Sequence, residues 1–424
     1  MSLPDLIEIC PSTEAPRAAI TVPGSKSLTN RALVLASLAE GEINLRGALW
    51  SEDTQVMVEC LQTLGYMVNV APDPAEPCNR TISVYGMGGK VPRGGTEENP
   101  MELFVGNAGT AARFLSAMVC LGEGAYRLSG VPRMHERPQA ALFQALRELG
   151  YRVESPNDKL PVIIHGGGRR FEKARVSIGE SSQFASALLL CAVQGGWKVE
   201  VTGENAEESP YVAMTLELRE AFPNGGGNFQ IEPDASSGSY FWGANQLLSP
   251  GSKNLFVNHW PDSGWQIDAE FPRFLPLPKI ISRRQDLGDS IMTAIVLAPF
   301  AGYPVTFTNL GRLRVQECER VQALRTELTK CGAKVREIGD NLEVEASELH
   351  GAEIETYNDH RMAMCFAILG LKVAGIKLKN PACVKKTFPN FFQKLGEPGP
   401  RGIGARILDG RTGRPLIRTE LFAE

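Results

Sequence analysis

The sequence predicts an α/β protein of two similar domains, each assembled from three strand–helix–strand–helix–strand repeats. Three observations carry that expectation. One pattern recurs six times along the 424 residues. Each copy places a small polar cluster between a β-rich run and an apolar helix. Several copies continue into a second helix that ends near Leu-Gly or Cys-Gly and then into an alternating strand, as in CLQTLGYMVNV, ALRELGYRVES and ELTKCGAKVRE. Repetition at a fixed scale is the mark of an architecture in which each unit shares its core with its neighbours.

The first copy, AITVPGSKSLTNRALVLASLAEGEINLRG, begins at Ala19, and the second, ELFVGNAGTAARFLSAMVCLGEGAYRLSG, at Glu102. The third is RVSIGESSQFASALLLCAVQGGWKVEVTG from Arg175, and the fourth QIEPDASSGSYFWGANQLLSPGSKNLFVN from Gln230. The fifth is RQDLGDSIMTAIVLAPFAGYPVTFTN from Arg284, and the sixth EIETYNDHRMAMCFAILGLKVAGIKLKN from Glu353. Alternation after each glycine reads as a half-buried strand, and the glycine as a helix C-terminus. The third and fourth copies are short in their second halves: PNGGGNF follows one, and IDAEFPRFL runs into PLPKIISRR after the other. PNGGGNF marks a crossover between domains. The expected domains are 22–229 and 1–21 plus 230–395, with 396–424 as a C-terminal tail.

Composition narrows the function. The chain is 43% apolar and 22% charged, with a formal net charge of -4 and no basic tail, so nucleic acid is not an expected partner. No apolar run is long enough for a bilayer, so no membrane partner is expected either. The start, MSLPDLIEIC, lacks a signal-peptide pattern, and cytoplasm is the expected location. Nine scattered cysteines without a CxxC pair read as reduced thiols, and five dispersed histidines give no metal site. A monomer is the expected state.

The polar clusters are GSKS, GNAGT, ESSQ, DASS, GDS and NDHR. Each suits a helix N-cap. Helix N-termini also attract anions, so six that converge would form an anion-binding cleft between the domains. Capping does not call for the cations in and behind these turns: Lys26, Arg31, Arg133, Arg137, Arg320, Arg361, Lys385 and Lys386. A phosphorylated, carboxylated substrate does, because guanidinium groups bind such anions bidentately.

In order along the chain, PGSKSLTNRALVLASLAEG, GNAGTAARF, GVPRMHERP, SSQFASALL, DASSGSYF, YNDHRMAM and KTFPNFF resemble the motifs of the 5-enolpyruvylshikimate-3-phosphate synthase family. The resemblance spans Val22 to Leu395, and Ser27 after Lys26 separates it from the sibling family that uses a UDP-sugar acceptor. It implies the enolpyruvyl transferase fold, with helix N-termini facing an interdomain cleft. It implies transfer of the enolpyruvyl group of phosphoenolpyruvate to the 5-hydroxyl of shikimate 3-phosphate, by addition then elimination, without metal or organic cofactor. Glyphosate is then an expected competitor of phosphoenolpyruvate.

Carried over by position, the resemblance implies a phosphoenolpyruvate set of Lys26, Asn107, Gly109, Arg133, Gln183, Arg320, Arg361 and Lys386. It implies a catalytic set of Lys26, Asp289, Glu317 and His360, and an acceptor set of Ser27, Arg31, Ser181, Ser182, Tyr211 and Asp289, to which Arg312 and Gln316 are added here. Addition needs a base at the hydroxyl and an acid at the methylene carbon, and elimination reverses that demand. Four positions depart from the family pattern. Glu208 stands where a phosphate-binding serine is usual, with Ser209 beside it; Gln316 replaces a lysine; Arg312 replaces an asparagine; and Phe114 replaces a proline. The alternatives these raise are a transferase whose acceptor lacks the 3-phosphate and an inactive binding homologue.

Overall fold

The computed structural model describes residues 3–12, 16–203, 209–252 and 254–423. The chain forms two compact units, a continuous one over 24–232 and a split one made of 1–23 and 233–424.

Both units use the same three-sheet plan. In the continuous unit a four-stranded sheet runs Gly227–Gln230, Glu40–Leu49, Asn79–Met87, Val68–Pro72, and a second runs Met101–Phe104, Glu123–Ser129, Val162–Gly167, Arg152–Glu154. The third is the parallel pair Lys173–Ser177 and Lys198–Thr202. In the split unit the sheets are Glu353–Ile354, Ile376–Lys379, Leu6–Ile9, Ile407–Asp409, then Ile280–Ser282, Val305–Thr308, Asn341–Val344, Val335–Ile338, and the parallel pair Ala18–Ile20 with Leu255–Val257. Each four-stranded sheet begins with a parallel pair and continues antiparallel. A parallel pair needs a crossover, and the apolar helix of each repeat supplies it. The two short repeats are the ones whose sheets stop at two strands.

Strand pairing differs from the sequence reading in two places. The run before GSKS, Ala18–Ile20, pairs with the fourth repeat, whereas the run before DASS, Gly227–Gln230, pairs with the first. Each leading strand therefore sits in the other unit from its own helix. The chain passes between units at 23–24 and 232–233, a few residues from the expected boundaries. Nor do residues after 395 form a separate tail. Ile407–Asp409 pairs with Leu6–Ile9, so the two ends of the chain complete the hairpin of the sixth repeat. A local pattern could not show this, because the hairpin strands lie about 400 residues apart.

Four of the six turn helices are buried on nearly every side. All residues of Gly109–Met118, Ile291–Leu297 and His360–Gly370 are buried, as is Leu28 to Leu38 in Lys26–Leu38. A helix apolar all round belongs inside a core. Within each unit its three turn helices pack against one another, which brings their polar turns together. Among the described residues no helix is long and apolar enough to cross a membrane.

Candidate active site

The polar turns divide into caps and non-caps. Ser25, Ser181, Asp234 and Asp359 each accept a hydrogen bond from a backbone N–H of their helix's first turn. The second and fifth turns have no side-chain cap, and Asp289 lies one residue before the N-cap Ser290 with its carboxylate committed elsewhere. Gly24, ahead of the first turn, is required by close approach: a Cβ there would stand 2.0 Å from the Gly47 carbonyl oxygen.

In the continuous unit, Lys26 Nζ meets Asp53 Oδ2 at 3.1 Å across the start of the helix Glu52–Thr63. Asp53 is buried and was not singled out in the sequence, where it reads as an ordinary acidic first turn. Arg31 is buried beneath the same turn. Its Nε donates to Thr215 Oγ1 at 2.8 Å, Nη1 to the Ser27 carbonyl at 3.0 Å, and Nη2 to Ser186 Oγ at 3.1 Å and the Tyr211 carbonyl at 3.4 Å. Burial lowers its pKa to about 10, with Tyr211 opposing, so the guanidinium remains charged at neutral pH. The Phe114 ring lies 5.4 Å from the Arg31 guanidinium carbon. The unusual Phe114 is thus a floor for Arg31, a cation–π arrangement.

The second and third turns meet at Gln183. Arg113 Nη1 donates to Gln183 Oε1 at 2.8 Å, and Gln183 Nε2 to Thr110 Oγ1 at 3.3 Å. Ser181 and Ser182 are buried at the same helix start. Gly109 faces two guanidinium groups: a Cβ there would lie 2.6 Å from Arg113 Nη1 and 2.7 Å from Arg137 Nη2. Arg137 Nη1 also holds the Asn107 carbonyl at 3.2 Å, and Asn107 Oδ1 is buried without a hydrogen-bond partner among the described residues. Arg133, expected in this set, is instead 52% exposed and paired with Glu136 at 2.6 Å, three residues along the helix Pro132–Glu136. Of the two arginines in VPRMHERP, Arg137 is the one beside Asn107 and Gly109. Glu208 lies outside the described residues. Of Ser209, only its place at the start of the helix Ser209–Ala221 is described.

In the split unit the charged groups form one connected cluster. Asp289 Oδ2 is 3.0 Å from Arg361 Nη2, and its Oδ1 is 3.4 Å from Arg283 Nη2 and 3.9 Å from Arg320 Nη1. Burial opposes ionisation of Asp289, but Arg361, Arg320 and Arg283 together outweigh it and hold the carboxyl well below the usual range. Glu317 pairs with Arg320 Nη2 at 2.8 Å and Lys386 Nζ at 3.3 Å. Arg320 is 1% exposed and also donates through Nε to Asp359 Oδ2 at 2.7 Å. Asp359 caps the sixth helix through Arg361 N at 2.8 Å, so one carboxylate holds the Arg320 guanidinium and the start of the helix that carries Arg361. That role went unnoticed in the sequence, where Asp359 reads as a cap alone.

Gln316 joins this cluster. Its Oε1 accepts from Arg320 Nη1, and its Nε2 donates to Asp289 at 3.5 Å. A lysine here could not accept from Arg320. Arg312 lies half-buried on the 3-10 turn Leu310–Val315. His360 is buried in the first turn of its helix, with Nδ1 3.8 Å from Asp359 Oδ1. The sequence-expected residues are thus gathered as Lys26, Ser27, Arg31, Asn107, Gly109, Ser181, Ser182, Gln183 and Tyr211 in one unit. In the other they are Asp289, Gln316, Glu317, Arg320, His360, Arg361 and Lys386. The cations of each set can hold anions, and the carboxylates of the second can exchange protons.

A model of the EPSP synthase (3-phosphoshikimate 1-carboxyvinyltransferase) family matches residues 13–223 and 281–395. The chain is 37% identical over 417 residues to a 3-phosphoshikimate 1-carboxyvinyltransferase of Trichormus variabilis, covering 89% of this chain and 95% of that one. It is 39% identical over 410 residues to the enzyme of that name from Rhizobium etli, covering 89% and 93%. Among solved structures it resembles an EPSP synthase from Acinetobacter baumannii, with TM-score 0.70 and 21% identity over 95% of this chain and all of that one. It resembles the enolpyruvyl transferase NikO from Streptomyces tendae with TM-score 0.68 and 16% identity, covering 96% and 99%. These structural likenesses speak to the fold, two similar domains of three repeats each.

Proposed function

The chain belongs to the EPSP synthase family, and we propose on that premise how its residues carry out the family reaction. The protein is a transferase that moves the enolpyruvyl group of phosphoenolpyruvate onto the 5-hydroxyl of shikimate 3-phosphate, with release of phosphate. The observation that carries the residue-level reading is the cluster in which Asp289 and Glu317 share Arg320 and are flanked by Arg361 and Lys386.

In this reading Arg320, Arg361 and Lys386 bind the carboxylate and phosphate of phosphoenolpyruvate, assisted by Lys26, Gln183 and the backbone from Asn107 to Gly109, and by Arg133 once it exchanges its exposed pair with Glu136 for the substrate. Ser27, Arg31, Ser181, Ser182 and Tyr211 serve the acceptor, with Arg312 and Gln316 replacing the usual phosphate contacts. Arg31 acts chiefly through its charge, since four of its N–H bonds are taken within its unit. Asp289 is an ionised carboxylate, the form needed to take the proton of the 5-hydroxyl as its oxygen attacks C2 of phosphoenolpyruvate. The Lys26 ammonium gives a proton to the methylene carbon, making a methyl group. In the second step the C2–O bond to phosphate breaks and Glu317 removes a methyl proton, restoring the double bond. His360, beside Asp359, supports this proton traffic. Positioned cations stabilise charge on phosphate as it leaves.

The two sets serve one reaction, and the protein works as a cytoplasmic monomer; size-exclusion chromatography with light scattering checks the monomer. The test of function is a phosphate-release assay with phosphoenolpyruvate across candidate acceptors. Release that depends on shikimate 3-phosphate supports the reading. Binding of both substrates without release would identify an inactive homologue, and release with only an unphosphorylated polyol would identify a different acceptor.

A further inference from the structure

The fourth repeat lacks a second hairpin, and in its place stands the 3-10 segment Ile267–Phe274. Asp268 in this segment is 3% exposed. A buried carboxylate is costly unless its oxygens are fully bonded, and here they are. Oδ1 accepts from Gly288 N at 2.8 Å, Ser290 N at 3.2 Å and Ser290 Oγ at 2.5 Å, and Oδ2 accepts from Ser236 Oγ. The two backbone donors are the neighbours of Asp289 on either side. Gln266, two residues earlier, makes the matching bonds to the fourth turn: its Oε1 accepts from Ala235 N at 3.0 Å and its Nε2 donates to the Pro233 carbonyl at 2.9 Å. Trp260 Nε1 secures the segment through the Ala269 carbonyl at 2.9 Å.

We propose that Asp268 is a positioning residue for the transferase reaction, which pins the loop on both sides of Asp289 and ties it to the fourth turn through Ser236. This rests on the reading of Asp289 as the base. The truncated fourth repeat thereby gains a role, its missing hairpin replaced by a staple that sets where the carboxylate stands. The arrangement has a physical tension. Burial, then the nearby Asp289 charge, raise the Asp268 pKa, while the Ser236 and Ser290 hydroxyls and Arg361 oppose the rise. Two carboxyl groups are thus held close; Arg283, Arg320 and Arg361 pair with Asp289, and Arg361 also favours the charged form of Asp268.

The test is a double-mutant cycle on the full chain, with Asp268→Asn, Asp289→Asn and the pair, read as kcat and as the KM for phosphoenolpyruvate. Asparagine keeps the shape and one acceptor oxygen but removes the charge-assisted bonds. Alone it should lower kcat by roughly 10- to 100-fold, the size expected when such bonds are lost, with KM within about threefold of the parent. In the Asp289→Asn background the same change should lower kcat by less than about threefold, because the group being positioned is gone. Equal losses in both backgrounds would mean a general structural role and overturn the proposal, as would a near-parental kcat for Asp268→Asn. If Asp289→Asn itself keeps parental turnover, the base assignment falls and this inference with it. Should Asp268→Asn fail to fold, Ser290→Ala, which deletes one hydroxyl donor and leaves both backbone bonds, replaces it in the same cycle under the same criteria.

Discussion

Replacing Arg361 by methionine removes the cation nearest to Asp289 while keeping much of the side chain's bulk. The lost contact is the 3.0 Å pair to Asp289 Oδ2; Arg283 at 3.4 Å and Arg320 at 3.9 Å remain on Oδ1. A hydrogen bond to a charged group is worth about 1.5–3 kcal/mol. If Arg361 makes one such bond to phosphoenolpyruvate, the KM for that substrate should rise by roughly 10- to 150-fold at 1.4 kcal/mol per decade. Breaking a buried pair costs about 3–5 kcal/mol when the other charge is left alone. The two remaining arginines make the loss here smaller. Its pH dependence has a definite sign. Asp289 titrates below its unfolded value, so its stabilisation is fully present above a pH of about 4 and is lost as pH falls towards the folded pKa. Parent and variant should therefore differ in urea denaturation at pH 7 and draw together as the pH falls below about 4. A folded variant whose phosphoenolpyruvate KM stays within twofold of the parent in the phosphate-release assay would refute Arg361 as a substrate ligand.

Three further outcomes are expected. Lys26→Ala, Asp289→Ala and Glu317→Ala should each lower turnover by about 10²–10⁴-fold, the usual size of a lost acid or base, with circular dichroism unchanged; near-parental rates in all three would remove the proposed catalytic set. Gly109→Ala should weaken both phosphoenolpyruvate and the competitor glyphosate, because its methyl meets the Arg113 and Arg137 guanidinium groups at 2.6 and 2.7 Å and Arg113 in turn holds Gln183; unchanged inhibition constants would show that neither ligand depends on that corner. Gln316→Lys should lower the acceptor KM by about tenfold or more if the added ammonium reaches the acceptor phosphate, since one charged hydrogen bond has that worth. It should also lower the melting temperature, because lysine sets a cation against the buried Arg320. An unchanged acceptor KM would place the phosphate away from Gln316.

The repeats were legible because each turn and its helix are local in sequence, and because helices buried on nearly every side are apolar apart from a few polar residues, most of them near their N-termini. GSKS and NDHR could be read as binding turns from the cations within them. The strand exchange around 18–20 and 227–230 was not legible, since both runs are only three or four residues long and either partner satisfies a parallel pair. The pairing of Leu6–Ile9 with Ile407–Asp409 was hidden by separation along the chain. At the site, Asp289 and Glu317 are expected from the resemblance, but the residues packed around them are not. Asp53, Asp268 and Asp359 look like N-terminal helical acids in one dimension, and only the packing shows that they hold Lys26, the Asp289 loop and Arg320. Arg133 and Arg137 are four residues apart in one motif, and nothing in sequence tells which of the two guanidinium groups lies against Gly109.

The most direct test of the account is to incubate the protein with phosphoenolpyruvate and shikimate 3-phosphate in deuterated water and follow the products by phosphorus NMR and mass spectrometry. The account predicts inorganic phosphate and an enolpyruvyl adduct of the acceptor in equal amounts, with deuterium in the vinyl methylene, because addition makes a methyl group from solvent-derived acid and elimination removes one of its hydrogens. No adduct from shikimate 3-phosphate, together with phosphate release when an unphosphorylated polyol is supplied, would contradict it.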